Sequence, residues 1–511
     1  MLARVLSSMT TGIDASLVEV EVDMVYGLPI FTIVGLPDTA VRESRERVRA
    51  ALRNAGFKFP PKKITVNLAP ANVRKEGALY DLPVAVAILC AEGVIGQERV
   101  RDYMLIGELS LDGHIKPVRG ALSIAGAARE RGVKGLFIPA ENASEAALIT
   151  GIDIYGVEAL SQVIAFFDGK SDIAPHRTDV EQIFAEHAGY DEDLLEVKGQ
   201  EYAKRALEIT AAGGHNLLMI GPPGSGKTML ARRLPTILPD ISIDEAIETT
   251  KIYSLAGGLS RDKPILATRP FRGPHHTISY AGMAGGGQVP KPGEISLAHN
   301  GVLFMDELPE YRRDVLEALR QPVEDGQITI SRAGATVTYP TRFMLVCAMN
   351  PCPCGYFMHP ERGCVCTPLQ VRRYRSKISG PLLDRIDMHI TLPPVPIREM
   401  RSSRSGEASG DIRRRVNRAR AIQRDRYRGE KGVSCNADMR GVQTNRYCRI
   451  DKGSQEMMDA AISRLGLSAR AYEKVLRVSR TIADLDLRED ILVQDVSEAI
   501  GYRTLDRNVV I

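Results

Sequence analysis

Tryptophan is absent from this chain of 511 residues, and Phe and Tyr alone make up its 5% of aromatics. The chain therefore offers few of the largest stacking groups. No uninterrupted apolar run is long enough to cross a bilayer, so no membrane span is expected. The first residues, Met1-Leu2-Ala3-Arg4, lack the apolar core of a signal peptide, and a cytoplasmic location is expected. No internal repeat at solenoid spacing is present. Neither sign of charge dominates, since the net charge is only +4. The distribution is uneven, however. Arg401 to Arg440 holds twelve Arg or Lys against five Asp or Glu. Such a block is either a solvated helical face or a polyanion-binding surface.

What is present is ordinary for a globular protein: 44% hydrophobic and 25% charged residues, over a length that suggests roughly three domains. Residues 1–168 alternate strand-like runs (Leu17 to Val22, Ile30 to Val34, Ile64 to Leu68) with helical ones (Thr39 to Ala55, Leu82 to Ala91, Ala121 to Arg131). This predicts an α+β or α/β domain. The polar stretch 169–193 reads as a linker. Residues 194–394 form a second segment. After the Ser/Gly-rich break Arg401 to Gly410, residues 395–511 are mostly helical, with clear periodicity over Ser454 to Leu465, Ala469 to Leu485 and Val493 to Tyr502.

The second segment carries the chemistry. Gly221-Pro222-Pro223-Gly224-Ser225-Gly226-Lys227-Thr228 fits G-x-x-x-x-G-K-S/T in full. It lies between the strand-like Asn216 to Ile220 and the helix-like Met229 to Leu234. The glycines let backbone N–H groups turn toward phosphates, Lys227 can reach the β- and γ-phosphates, and the Thr228 hydroxyl can ligate Mg²⁺. ATP and Mg²⁺ are the expected cofactors. The apolar run Gly301 to Met305 ends in Asp306 and Glu307. Asp306 would hold Mg²⁺, and Glu307 would polarise the attacking water as general base. A further apolar run, Phe343 to Met349, ends in Asn350, at the strand end that faces the ligand crevice of a parallel sheet.

In this order the motifs resemble those of AAA+ ATPases, a P-loop α/β fold with a helical lid. The resemblance implies two further residues. Arg385, in Gly380-Pro381-Leu382-Leu383-Asp384-Arg385, matches the arginine finger that enters a neighbouring subunit's site. Arg470, in Leu467-Ser468-Ala469-Arg470, matches the sensor arginine of the lid. Both would neutralise phosphate charge, and a finger acting in trans implies a ring, a homo-hexamer. Two insertions are similar to those of magnesium chelatase and MCM helicases. One is Arg269 to His276 with the Gly-rich run after it. The other is a hairpin-like stretch, Gln327 to Tyr339, with its turn at Ala333-Gly334. In that clade hairpins line the ring's channel, and Arg332 is the expected DNA phosphate contact. A hairpin packed between subunits, with Arg332 solvated, is the alternative. The adjacent His275 and His276 read as a packing or hydrogen-bonding loop, since no third metal ligand accompanies them.

Leu17 to Ala127 resembles the Lon-protease-like (S5-type) fold. Lys75 to Pro83 stands where the serine nucleophile would be, and Gly107 to Gly120 precedes the place of the catalytic lysine. Apolar residues occupy both places, near Leu79 and near Leu122. A Ser–Lys dyad needs both partners, so a scaffold without peptidase chemistry is expected, with Lys62, Lys63, Arg74 and Lys75 as basic residues for guiding DNA or as plain surface charge. The combination resembles the ComM (YifB) family of bacteria. That resemblance implies an ATP-driven DNA helicase that promotes branch migration, on single-stranded or branched DNA, in natural transformation and recombination. The competing reading is a chelatase-like or protein-remodelling ATPase. The N-terminal domain counts against it, as the chelatase motor subunit is expected to lack one.

Four of the eight cysteines fall within fifteen positions as C-x-C and C-x-C: Cys352, Cys354, Cys364 and Cys366. Four thiolates can close a tetrahedral Zn²⁺ site. Free thiols or a redox pair are the alternatives, and His359 is a substitute ligand.

Overall fold

The computed structural model describes residues 1–260, 263–287, 290–332, 335–357, 359–394 and 406–503, without the side chains of Arg332 and Ala335. The predicted turn Ala333-Gly334, and Arg401 to Ser405 of the Ser/Gly-rich break, lie outside them.

The N-terminal region is built on one seven-stranded sheet. β1 (Leu2–Thr11) and β2 (Asp14–Val25) form a long antiparallel hairpin, followed by β3 (Phe31–Val34), β4 (Lys63–Ala69) and β5 (Tyr103–Leu105). A small hairpin of β6 (Glu108–Leu109) and β7 (Ile115–Lys116) precedes β8 (Gly135–Pro139) and β9 (Asp153–Val157). The strand order is β3-β4-β2-β1-β5-β8-β9, mixed, with the β1-β5-β8-β9 side parallel. Strict alternation explains the pairing: Val18, Val20, Val22 and Met24 are buried on one face of β2, as are Ile64, Val66 and Leu68 of β4. The helix Asp81–Ala91 is buried along its whole length, as an all-apolar helix must be. Its single acid, Asp81, accepts from Arg47 Nη2 at 3.1 Å and from Leu109 N at 3.2 Å. The predicted helices are found as Thr39–Asn54, Asp81–Ala91 and Ala121–Arg131. The stretch expected to be a plain linker contains a helix, Val180–His187, whose Gln182 N–H is capped by Asp179 at 3.0 Å. A polar segment with a cap residue and three apolar positions is enough for two turns.

The central region carries a five-stranded parallel sheet. β10 (Leu217–Ile220) is followed by β11 (Phe271–Arg272), the short pair β12 (Gly285–Gly286) and β13 (Lys291–Pro292), and then β14 (Val302–Met305). β15 (Gln327–Arg332) and β16 (Ala335–Pro340) form the predicted hairpin, and β17 (Met344–Met349) and β18 (Met388–Thr391) complete the sheet. The order is β11-β14-β17-β10-β18. Every residue of β10, β14 and β17 is buried, which accounts for their continuous apolar runs.

The C-terminal helices Ser409–Arg426, Lys452–Leu465, Ala469–Leu485 and Val493–Gly501 close over this sheet through the helix Glu201–Gly213. Ala469–Leu485 buries Val475, Leu476, Val478 and Ile482 in the same apolar cluster as Leu207, Met219 and Val346. Charge is buried there too. Asp484, fully buried, accepts from Arg426 Nη1 at 2.8 Å and from Arg480 Nε at 3.1 Å. Lys474 Nζ lies 3.2 Å from Asp387 Oδ1 and donates to the Ile386 carbonyl at 3.0 Å.

The N-terminal and central regions share a core. Ile241, Ala246, Ile265 and Ala267 join the cluster of Leu122, Ile124 and Leu136. The buried Glu145 carboxylate accepts from Leu122 N at 3.0 Å and from the Ser254 hydroxyl, which also accepts from Gly120 N at 2.9 Å. Gly12, at the β1–β2 turn with φ +64°, lies against β16, where a Cβ would stand 3.1 Å from Val337 Cγ1.

Candidate nucleotide site

The site forms at the carboxyl ends of β10, β14 and β17, which are neighbours in the sheet. β10 leads into the loop 221–226, and the helix Lys227–Arg233 follows. Gly224 (φ +77°) and Gly226 (φ +85°) take left-handed backbone, and a Cβ on either would meet nothing within 4 Å. Their conformation thus faces open space, where an anion can lie against the loop's N–H groups. Gly221 is closed in instead: a Cβ there would fall 2.7 Å from the Leu392 carbonyl.

Lys227 Nζ donates to the carbonyls of Gly221 at 2.8 Å and Pro222 at 3.0 Å and to Asn350 Oδ1 at 3.3 Å. Burial lowers its pKa, while Asp306 and Glu307 act the other way. Thr228 Oγ1 donates to Asp306 Oδ2 at 2.7 Å. That separation is close to the roughly 3 Å between adjacent ligand oxygens of octahedral Mg²⁺ with bonds of about 2.1 Å. Asp306 Oδ1 accepts from the backbone N–H of Glu307, 2.9 Å away, and Glu307 itself adopts φ +52°. A non-glycine residue in that region marks a position its surroundings impose. Lys227, Thr228, Asp306 and Asn350 are thus brought together as expected, with Glu307 beside them.

His276 was missed as a site residue. Its Nδ1 lies 3.2 Å from Glu307 Oε2, and its ring centre is 4.1 Å from that of His275, the two rings tilted by 34°. The loop does hydrogen-bond, through His275 Nδ1 and Thr277 Oγ1 at 2.9 Å, and it also sets His276 against Glu307. Only the fold brings β11 and β14 side by side to make that pair.

The two arginines stand apart from the loop. Arg385 Nε donates to the Arg320 carbonyl at 3.0 Å and Nη1 to the Pro381 carbonyl at 2.7 Å, and the guanidinium pairs with Glu324. Arg470 is exposed, 3.7 Å from Asp384. They are neighbours through the consecutive Asp384 and Arg385, and neither has a described contact with residues 221–228 or 306–307. Arg332 ends β15, paired with Ala335.

Part of the basic block is spent on the fold. Arg415 pairs with Glu407 and Glu208, Arg426 with Asp484, Arg413 with Asp240, Arg414 with Asp411 and Arg428 with Asp425. Arg413, Arg415 and Arg426 fasten the helix Ser409–Arg426 to its neighbours, while Arg414, Arg418, Arg424 and Arg428 stay exposed. In the N-terminal region Lys75 is fully buried, donating to the carbonyls of Val73 at 2.9 Å and Pro70. Lys62 pairs with Glu92 at 2.8 Å and Arg74 with Glu76 at 3.6 Å. Of these four basic residues, Lys75 is corrected from a surface charge to a core one. Leu79 and Leu122 meet in one apolar cluster.

The four cysteines converge, with ligand atoms all within 4.8 Å of one another, and can hold a metal ion. His359 is not among them: its Nδ1 accepts from Glu361 N at 3.1 Å and Arg362 N at 3.0 Å.

Family models agree with this layout. Residues 193–400 match a model described as magnesium chelatase, subunit ChlI, and residues 406–503 match the ChlI C-terminal model. Residues 20–142 match a model described as subunit ChlI of Mg-chelatase. The chain is 46% identical to the uncharacterized protein YifB of Salmonella typhimurium, over 99% of this chain and 98% of that one. It is 43% identical to the competence protein ComM of Haemophilus influenzae, over 99% and 98%. The chain belongs to the ComM/YifB family. The magnesium-chelatase 38 kDa subunit of Rhodobacter capsulatus is 27% identical over 30% of this chain and 49% of its own length. Because the N-terminal region of this ComM/YifB member also matches a ChlI description, that region no longer separates the chain from chelatase subunits. The fold and the family together make it a magnesium-chelatase-like AAA+ protein, and no described helix is long and apolar enough to cross a membrane.

Proposed function

We propose that the protein is a cytoplasmic, ring-forming ATPase that moves along single-stranded or branched DNA, unwinding it or driving branch migration. The observation that carries the reading is the hydrogen-bonded set of Lys227, Thr228, Asp306 and Asn350 around an open glycine loop. Lys227 would give up its two carbonyls for phosphate oxygens. Thr228 and Asp306 would take Mg²⁺ between their oxygens, and Mg²⁺ would offset charge on the phosphates. Glu307, held by His276, would orient water for in-line attack.

Completion of the site falls to a second subunit, most simply in a homo-hexamer. Arg385 would leave Glu324 for the neighbour's phosphates. Arg470, joined to the same stretch through Asp384, would travel with it. The β15–β16 hairpin, seated on the β1–β2 turn, supports a DNA contact at Arg332 near its tip. The N-terminal region would be a Lon-like scaffold without peptidase chemistry, a reading supported by the apolar surroundings of Leu79 and Leu122 near the places the resemblance assigns to the dyad. The competence protein among the relatives supports DNA as the partner.

The test is ATP hydrolysis by the purified protein with and without single-stranded and forked DNA, at low and moderate salt. Stimulation that weakens with salt is expected, because backbone contacts release counterions. Hydrolysis indifferent to DNA would favour the second reading, a chelatase-like or protein-remodelling ATPase, which rests on the family descriptions over residues 20–142, 193–400 and 406–503.

A further inference from the structure

We propose that Cys352, Cys354, Cys364 and Cys366 bind one zinc ion, and that the loaded cluster is a strut behind the phosphate loop on which nucleotide affinity depends. The first half rests on the shape of the cluster. Four sulfurs at about 2.3 Å from a tetrahedral ion stand about 3.8 Å from one another. The described separations are 3.4 Å for Cys352–Cys354, 3.7 Å for Cys352–Cys364 and 3.6 Å for Cys354–Cys364. None is near the roughly 2.05 Å of a disulfide. Two backbone donors already point at sulfur: Phe357 N lies 3.3 Å from Cys352 Sγ, and Cys354 N lies 3.4 Å from Cys366 Sγ. Such N–H donors stabilise thiolates and orient them toward a metal. Four soft ligands and no carboxylate select zinc over Mg²⁺ or Ca²⁺.

The second half rests on what the cluster touches. The segment that leaves β17 meets the phosphate loop three times. Gly221 N donates to the Met349 carbonyl at 3.2 Å, and Lys227 reaches Asn350 at 3.3 Å. Gly355, just after Cys354, presses on Pro223: a Cβ there would stand 2.6 Å from Pro223 Cδ and 2.9 Å from Cγ. The last contact comes from the turn between the first pair of sulfurs and the rest of the cluster. Arg375 secures the near end, with Nε 3.2 Å from the Pro351 carbonyl and its guanidinium 5.3 Å from the Phe357 ring centre. The far end carries an exposed Val365, and the cysteines on either side of it are the residues that join that end to the cluster. A metal bond there fixes Gly355, and Gly355 fixes Pro223.

The inference relies on the nucleotide reading of residues 221–228, so metal and nucleotide are measured separately and without DNA. Zinc in the purified full-length protein is counted by elemental mass spectrometry, and a fluorescent ATP analogue is titrated alongside. About one zinc per chain is expected. The double variant Cys364→Ser, Cys366→Ser should lose it and bind the analogue about tenfold more weakly, in line with lost pre-organisation. Gly355→Asn tolerates the left-handed backbone (φ +85°) but crowds Pro223, so it should keep zinc and still weaken nucleotide binding. A protein that carries no zinc and takes up none from added zinc chloride would overturn the metal site. Gly355→Asn and the zinc-free double variant both binding the analogue as wild type would overturn the strut. A zinc-loaded wild type with no affinity for the analogue would overturn the nucleotide reading, and the strut with it.

Discussion

The chain builds two sheets with parallel strands, and the regions around them are used differently. At the carboxyl ends of β10, β14 and β17 it gathers the polar side chains of Lys227, Asp306, Glu307 and Asn350. In the N-terminal region Leu79, just before the helix Asp81–Ala91, packs against the apolar cluster that holds Leu122 of the helix Ala121–Arg131. Both sheets are stable scaffolds. The polar set of the central sheet is held by mutual hydrogen bonds and a left-handed Glu307, whereas the apolar cluster of the N-terminal region contributes packing alone.

The comparison is broken most severely by Glu307→Gln. The amide keeps the shape but loses the charge that polarises water, so turnover should fall at least about 100-fold while nucleotide still binds. Normal turnover would place the general base elsewhere. Lys227→Ala should instead abolish binding itself, read in the same nucleotide titration. On the apolar side, Leu122→Lys puts an ammonium into the buried cluster that holds Ile124, Leu136 and Ile241. A loss of more than about 3 kcal/mol is expected in denaturant unfolding. Loss of less than about 1 kcal/mol would mean that the cluster is looser than its burial implies.

Acid should separate the regions more gently. Burial holds His215 down to about 4 from its ordinary 6.5, although Asp387 pulls the other way. The unfolded chain therefore takes up this proton at higher pH than the folded one. Stability from the neutral His215 is full above pH 6.5 and is lost as pH falls through 4. The thermal midpoint should drop over that window, and His215→Gln should flatten the drop. The smallest effect is at the junction. Burial raises the pKa of Glu145, while Ser254, Leu122 and Asn142 oppose the shift. A folded pKa above the ordinary value means that the ionised form weighs against folding at neutral pH. Glu145→Gln should raise stability by less than about 1 kcal/mol at pH 7 and leave it unchanged in mild acid.

Much of this architecture was legible from local pattern. Period-2 alternation located β2 and β4, helical period gave Ala469–Leu485 to the residue, and the glycine loop announced its strand and helix. The four cysteines converge as their spacing suggested. What escaped was pairing across long separations. Nothing near Arg415 in sequence reveals that Glu208 awaits it, so the sequence could not show which arginines of the run the fold would engage. Lys75 looked like a surface lysine because the carbonyls that hold it are fixed by the fold. His276 needed Glu307 beside it to acquire meaning. The helix Val180–His187 was hidden by polarity, since it contributes no fully buried residue.

The contact of Gly12 with Val337, with the shared cluster around Ile241 and Ile265, has a practical consequence for anyone who would divide this chain. A fragment starting after residue 168 would carry bare hydrocarbon on the helix Ile243–Ala256 and along β16. It would be a sticky half of one cooperative unit, prone to associate with itself in solution. Its oligomers would then say little about any ring the intact protein forms.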